Sequence, residues 1–390
     1  MQLKSVVKAV VLASILGSGG VGAEEWSRDA VLNFDTREVL GALGDALAVH
    51  DEIPSLEESK FIGRDQEDAK ADLDDLVEDA MALFESEAIN NLRSQYRELE
   101  ERIEDQKQKL TKYRTERVLA VEDGRSLGSQ LMPGDTLKSY VAVTKEDYDM
   151  LIEATEKNIA AYEEETALTL TRMSQALTTI GVDLDPDQLE AMMSSVVGDD
   201  IVSMSVVFNA IRDMTTQLAE LTEGSGEDLA HAKKYYGMTV VLHRIMAYMQ
   251  ESFIVDVDEK YLPKLTLYRN SARSNIKESK KLMREGGNET TLKNNIQSNK
   301  LTISVIDLYA DMLKRQRDKV AAAHEVTVRE MNVANNTYRT VALSSSVVSM
   351  IREGANTFDR LISLQMPDIR EFQNEEVREE FRNLTEQLAN

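Results

Sequence analysis

A chain of 390 residues with 42% hydrophobic side chains is long and apolar enough to bury a core, and 69 acidic against 45 basic residues leave it a formal charge of −24. Such a surface repels phosphate backbones and anionic headgroups, so neither nucleic-acid binding nor electrostatic membrane contact is expected. The chain has no cysteine, which excludes disulfides, thiolate metal sites and a lipid-modified cysteine, and its 18 glycines and 5 prolines are few enough to imply long helices with few turns.

Residues 1–23 have the three parts of a signal peptide: Lys4 and Lys8, an apolar run over 9–16, and Val21-Gly22-Ala23 as a small-x-small cleavage site. The run is far short of the ~20 residues that a membrane span needs. The expected product is an exported chain starting at Glu24, periplasmic in the first reading and secreted in the second. Losing Lys4 and Lys8 makes that product two units more acidic.

Residues 24–64 hold a short helix, 36–49, and a linker through Ile53-Pro54-Ser55. The elongated part, 65–366, begins with a helix near Asp65 carrying Leu73, Leu76, Ala80 and Leu83, then Leu92, Tyr96, Leu99, Ile103, Leu110 and Tyr113 after a shift of phase at 85–87. That shift predicts a local change of winding or of packing partner. Residues 45–105 hold 20 acidic and 6 basic side chains, which reads as a solvated helix face, with a basic partner as the alternative.

Gly124, Gly128, Pro133 and Gly134 mark an irregular connector. Helix resumes at Thr144-Lys-Glu-Asp147, a capping-box pattern, and ends at Gly181. Asp185-Pro186 opens a shorter helix, Gly198-Asp199-Asp200 is the next joint, and 201–221 the next helix. A helix restarting at Ser225-Gly-Glu-Asp228 carries Leu229 through Phe253. Pro263 is expected to kink it or cut it near Leu262, because proline cannot donate to the ladder. Gly286-Gly287-Asn288 then reverses the chain.

The strongest periodicity follows. Leu292, Ile306, Leu313, Val320, Ala334, Val341 and Val348 repeat in sevens, and Ile296, Ile303, Ala310, Met331 and Tyr338 form a second line. A sustained 3.5-residue period specifies a helix packed lengthwise on another, here roughly 85 Å long. Asn299, Arg317 and His324 interrupt these seams. Polar seam residues lower stability but fix register and partner, and His324 would make the pairing sensitive to mild acid. Beyond Met366-Pro367 a separate amphipathic helix, within 367–390, places Val377, Phe381, Leu384 and Leu388 on one side as candidate partner-binding residues.

Together these elements predict an all-α fold, an elongated antiparallel helical bundle with long coiled-coil helices. The chemistry-bearing patterns are weak. Asp183, Asp185 and Asp187 open like a calcium loop, but Gln188 and Ser194 stand where glycine and a bidentate carboxylate are required. Asp228 and His231 are a turn apart, yet no Glu-x-x-His accompanies them. Nucleophile elbow, phosphate loop and zincin helix are all missing, so no catalytic residue, metal or cofactor is expected. The reading is a non-enzymatic exported scaffold or adaptor that acts through a protein partner or self-association along the seam. One alternative is a secreted pore-forming protein inserting the apolar stretch 189–211, against the cost of placing Glu190, Asp199 and Asp200 in a bilayer. Another is a cell-envelope hydrolase with its carboxylates concealed among the acidic helices.

Overall fold

Side-chain caps decide where most of the helices begin. In the computed structural model, which describes residues 26–60, 63–122, 142, 144–224 and 229–343, Asp35 accepts from Arg37 and Glu38 amides to start α2 (Thr36–Glu52), after a single turn α1 (Arg28–Val31). Asp65 and Asp68 form a reciprocal capping box on α3 (Gln66–Ala82), and Ser86 caps α4 (Glu87–Leu119). The Thr144–Asp147 and Asp185–Gln188 boxes start α5 (Lys145–Thr179) and α6 (Pro186–Met193), each where the sequence puts it. Then follow α7 (Gly198–Gly224), α8 (Leu229–Val255), a π turn (Asp256–Tyr261), α9 (Leu262–Arg284) and α10 (Glu289–Leu343). The described residues are all-α, without a strand; one isolated bridge joins Val121 to Thr144. The signal segment, most of the glycine-rich connector, Val348 and the whole 367–390 helix with Val377, Phe381, Leu384 and Leu388 lie outside the described residues.

Three joints differ from expectation, each for a local reason. The phase shift at 85–87 is a full break: α3 stops at Ala82, Phe84 turns into the core, and the buried Ser86 hydroxyl accepts from the Ile89 amide to start a new axis. Gly198, Asp199 and Asp200 are the first turn of α7, and the joint falls earlier, at 194–197. Pro263 does not cut its helix. The chain stays helical from Leu229 to Arg284 because the π turn precedes the proline, and the Leu262 amide reaches back five residues to Val257. Widening the turn takes the proline ring away from the carbonyl it would otherwise strike.

The reversal between α9 and α10 is set by glycine. Gly286 has φ +91°, its amide reaches Met283 and that of Gly287 reaches Leu282, which satisfies carbonyls at the end of α9.

Cross-helix pairs show how the elements run. Gln95 meets Glu165 and Arg117 meets Asp149, so α4 and α5 pass each other in opposite senses. Asp258–Arg317, Arg269–Asp307 and Asn275–Asn299 show the same for the α8–α9 helix against α10. One large core joins α1–α3, the near parts of α4 and α5, α6, α7, α8 and α10. Toward the α9–α10 reversal the burial thins: α9 buries only Leu265, Ala272 and Ser279.

The first seam of α10 is buried at 292, 306, 313, 320, 334 and 341, and Thr327 fills its missing place. The second is shallower, with 296, 303, 310 and 331 half-buried and Tyr338 buried. Burial goes instead to Val305, Tyr309 and Met312, which share one face of α10, and from that face the Tyr309 hydroxyl accepts from the Val196 amide of the α6–α7 joint at 2.6 Å. A third neighbour thus broadens a two-helix seam.

Candidate functional site

The three polar seam residues are spread along α10 and do not converge. The Asn299 carbonyl oxygen accepts from Asn275 across the pair at 3.3 Å, while its amide donates to the Asn295 carbonyl. Arg317 spans to Asp258 at 3.1 Å and also holds Asp318. His324 is half-buried, and its Nδ1 is a buried atom without a hydrogen-bond partner. Two of the three therefore meet a polar group at matching height on the opposite helix, which penalises a slip of register.

A fully buried histidine lies on the other side of the same interface. His243 of α8 is 0% exposed, its Nδ1 lies 2.8 Å from the Thr239 carbonyl, and its Nε2 is unpartnered. Burial holds its pKa below the ordinary value, against smaller upward pulls from the Thr239 bond and Glu330 of α10. Nothing in its spacing marks it out, since it continues the apolar stripe of α8.

The polar groups do converge in a half-open cleft of about 620 Å³ where the end of α3, α4, the first turn of α7 and the end of α8 meet. Arg93 and Arg97, one turn apart on α4, both hold Asp199, with Arg93 Nε at 3.1 Å from Oδ1. Arg93 also donates to Asn90 at 2.9 Å. Asp199 is only 9% exposed, and as a carboxylate in the first turn of α7 it also meets the positive end of the helix dipole. Gly198 is required beside it: a Cβ there would lie 2.2 Å from the Met192 carbonyl oxygen.

Asp200 has no such compensation. Its Oδ2 is buried without a hydrogen bond, and burial first, then Asp256 across the cleft, pushes its carboxyl above the usual range against weaker opposition from Arg93, Lys260 and Arg97. Tyr261, in the π turn, is pushed up to about 12 by burial and then by Asp200 and Asp256. Ser94, Ser203 and Ser252 line the cleft beside Glu85, Asp200 and Asp256, with no imidazole or lysine among the lining residues. Among the described residues no group of three or more His, Asp or Glu is disposed to hold a metal ion. The cleft lies where four helices meet, with Asp199 ion-paired by two arginines and Asp200 Oδ2 left without a hydrogen bond.

Sequence reasoning missed this ring because its members come from four separated segments. The one local sign was Arg93-x-x-x-Arg97 inside an otherwise acidic run. The apolar stretch 189–211 is core: Leu189, Val197, Val202, Val207, Ala210 and Ile211 are all essentially inaccessible. Among the described residues no helix is long and apolar enough to cross a membrane. No protein-family model, curated protein or solved structure matches the chain.

Proposed function

We propose that this chain is a non-enzymatic, exported scaffold or adaptor of the cell envelope: an elongated antiparallel helical bundle with a coiled-coil seam that works by holding other protein surfaces at a distance. The observation that carries the reading is the pairing of α8–α9 with α10 along their whole length, with Asn275–Asn299 and Arg317–Asp258 matched across it. A rod held in one register defines a fixed spacing. The cleft supports the same reading, because Arg93 and Arg97 of α4 are used in holding Asp199 of α7. Burial of 189–211 in the core supports it over membrane insertion, which would require the centre of the fold to come apart. The C-terminal stripe Val377, Phe381, Leu384 and Leu388 is the proposed partner surface.

Envelope-fraction cross-linking with the full chain tests the proposal. The expected result is a stoichiometric adduct that Phe381→Ala with Leu384→Ala removes without changing the melting temperature. Leakage of liposomes, or turnover of a cell-wall substrate, would replace the scaffold reading with the pore or hydrolase alternative.

A further inference from the structure

The net charge of −24 conceals a segregation. Helix α9 (Leu262–Arg284) carries seven basic residues and one acidic, while α3 (Gln66–Ala82) carries seven acidic and one basic. Four of the five exposed basic residues of α9, Arg273, Lys277, Lys280 and Arg284, and four of the six exposed acidic residues of α3, Asp68, Asp72, Asp75 and Asp79, fall on stripes of identical spacing. Both follow i, i+4, i+7, i+11, which is one face of a helix over roughly 16 Å. All eight residues are exposed. Arg273, Lys277, Lys280 and Arg284 make no ion pair among the described residues, and of the four stripe residues on α3 only Asp72, held by Arg64 at 2.7 Å, is paired. Asp68 additionally accepts from the Asp65 amide in the capping box.

The two stripes of one molecule cannot meet. Helix α3 is fixed against α8 by Asp74–Arg244 and Glu78–Tyr248. The same continuous helix then runs 25 residues from Tyr248 to Arg273, about 38 Å at helical rise, before the basic stripe begins. That distance is several times the screening length of about 8 Å at physiological salt, so the basic end acts independently of the acidic body.

We infer that the basic stripe of α9 docks on the acidic stripe of α3 in a second copy of this chain, giving head-to-tail assembly. The 4-3-4 spacing reads the same in both directions, so charge alone leaves the orientation open. Helix dipoles choose: Asp68 is near the N-terminus of α3 and Arg284 is the last residue of α9, and placing these ends together sets the helices antiparallel. Asp68 then faces Arg284, Asp72 faces Lys280, Asp75 faces Lys277 and Asp79 faces Arg273. Because the two surfaces differ, the contact is heterologous and each added copy leaves a free stripe at either end. The inference rests on the scaffold reading only in supplying its partner; it is read on purified protein, so its failure leaves the envelope cross-linking test intact.

Sedimentation of the full chain at about 0.1 M and about 0.5 M salt, where screening differs by roughly twofold, tests the inference. The expected result is mass that grows with concentration and an affinity about tenfold weaker at the higher salt. Reversing α9 (Arg273→Glu, Lys277→Glu, Lys280→Glu, Arg284→Glu) or α3 (Asp72→Lys, Asp75→Lys, Asp79→Lys, sparing the cap at Asp68) leaves each variant monomeric. An equimolar mixture of the two associates again. If reversal disturbs folding by circular dichroism, Lys277→Gln with Lys280→Gln serves instead and weakens association about tenfold. A monomeric wild-type chain, association indifferent to these changes, or a mixture that stays monomeric overturns the inference. So does a monomer whose α9 stripe pellets with phosphatidylserine vesicles, which assigns the stripe to a membrane surface.

Discussion

Asp200 is the residue whose position costs the fold something at neutral pH. Its carboxyl titrates above the usual range because burial and then Asp256 oppose its charge, so the folded state holds the proton more tightly than the unfolded chain does. That contribution is complete below the ordinary carboxylate range near 3.9 and is lost as pH rises through the raised folded value. Asp200→Asn is therefore expected to raise stability at pH 7, by about 1 kcal/mol, the common size of a single-site effect, and to change little at pH 3. Thermal melts at the two pH values decide it, and an unchanged or lower melting point at pH 7 counts against the assignment. His243 has the opposite sign. Its folded pKa is depressed by burial, so its contribution is complete above the ordinary 6.5 and is lost as pH falls below it. Between pH 6.5 and 5 the chain should lose up to about 1.4 kcal/mol per pH unit through this one group. His243→Leu should flatten that limb, as followed by denaturant melts across the range. His243 thus places an acid-sensitive residue on α8, the helix that faces the α10 seam.

At the scale of elements, the joints hold more information than the rods. Gly198→Ala would drive a Cβ into the Met192 carbonyl, and separating α6 from α7 to relieve it should cost about 1–3 kcal/mol, read as a fall in melting temperature. No loss would mean that the α6–α7 joint is looser than its geometry implies. Caps and helix starts were legible because each depends on a few neighbouring residues: Thr144 with Asp147, Asp185 with Gln188, Gly286 after Arg284. The π turn was legible only in hindsight. Phe253, Val257, Tyr261 and Leu265 are all buried at steps of four, and in a 3.6-residue helix three such steps drift round the axis. A widened turn keeps all four on the core side. Local rules supplied the proline and not this compensation, because the compensation is imposed by the facing helix. The cleft was illegible for the same reason: Arg93, Asp199, Asp200 and Asp256 have nothing in common until α3, α4, α7 and α8 are packed.

At the scale of the molecule, packing is concentrated at one end of the longest helices. Helix α10 has 55 residues, about 83 Å of helix, and α8–π–α9 runs beside it without interruption. A compact globule of this chain length is roughly 55 Å across, so neither helix fits within one. Near α3 and α7 the pair is enclosed by apolar neighbours, whereas past Ala272 it relies on its own seam, on Asn275–Asn299 and on a solvated charged exterior. Stability should be graded in the same way, because local opening follows the density of buried apolar contacts. Two measurements test the grading together. Small-angle scattering of the monomer, at salt high enough to suppress association, should give a radius of gyration well above the compact value of about 21 Å. Amide exchange should be slowest in α7 and the 236–253 part of α8 and should quicken along α9 toward the Gly286 reversal. A compact radius, or uniform protection from Tyr236 to Arg284, would mean that the far ends of α9 and α10 fold back onto the body, and the basic stripe of α9 would then be unavailable to a second copy.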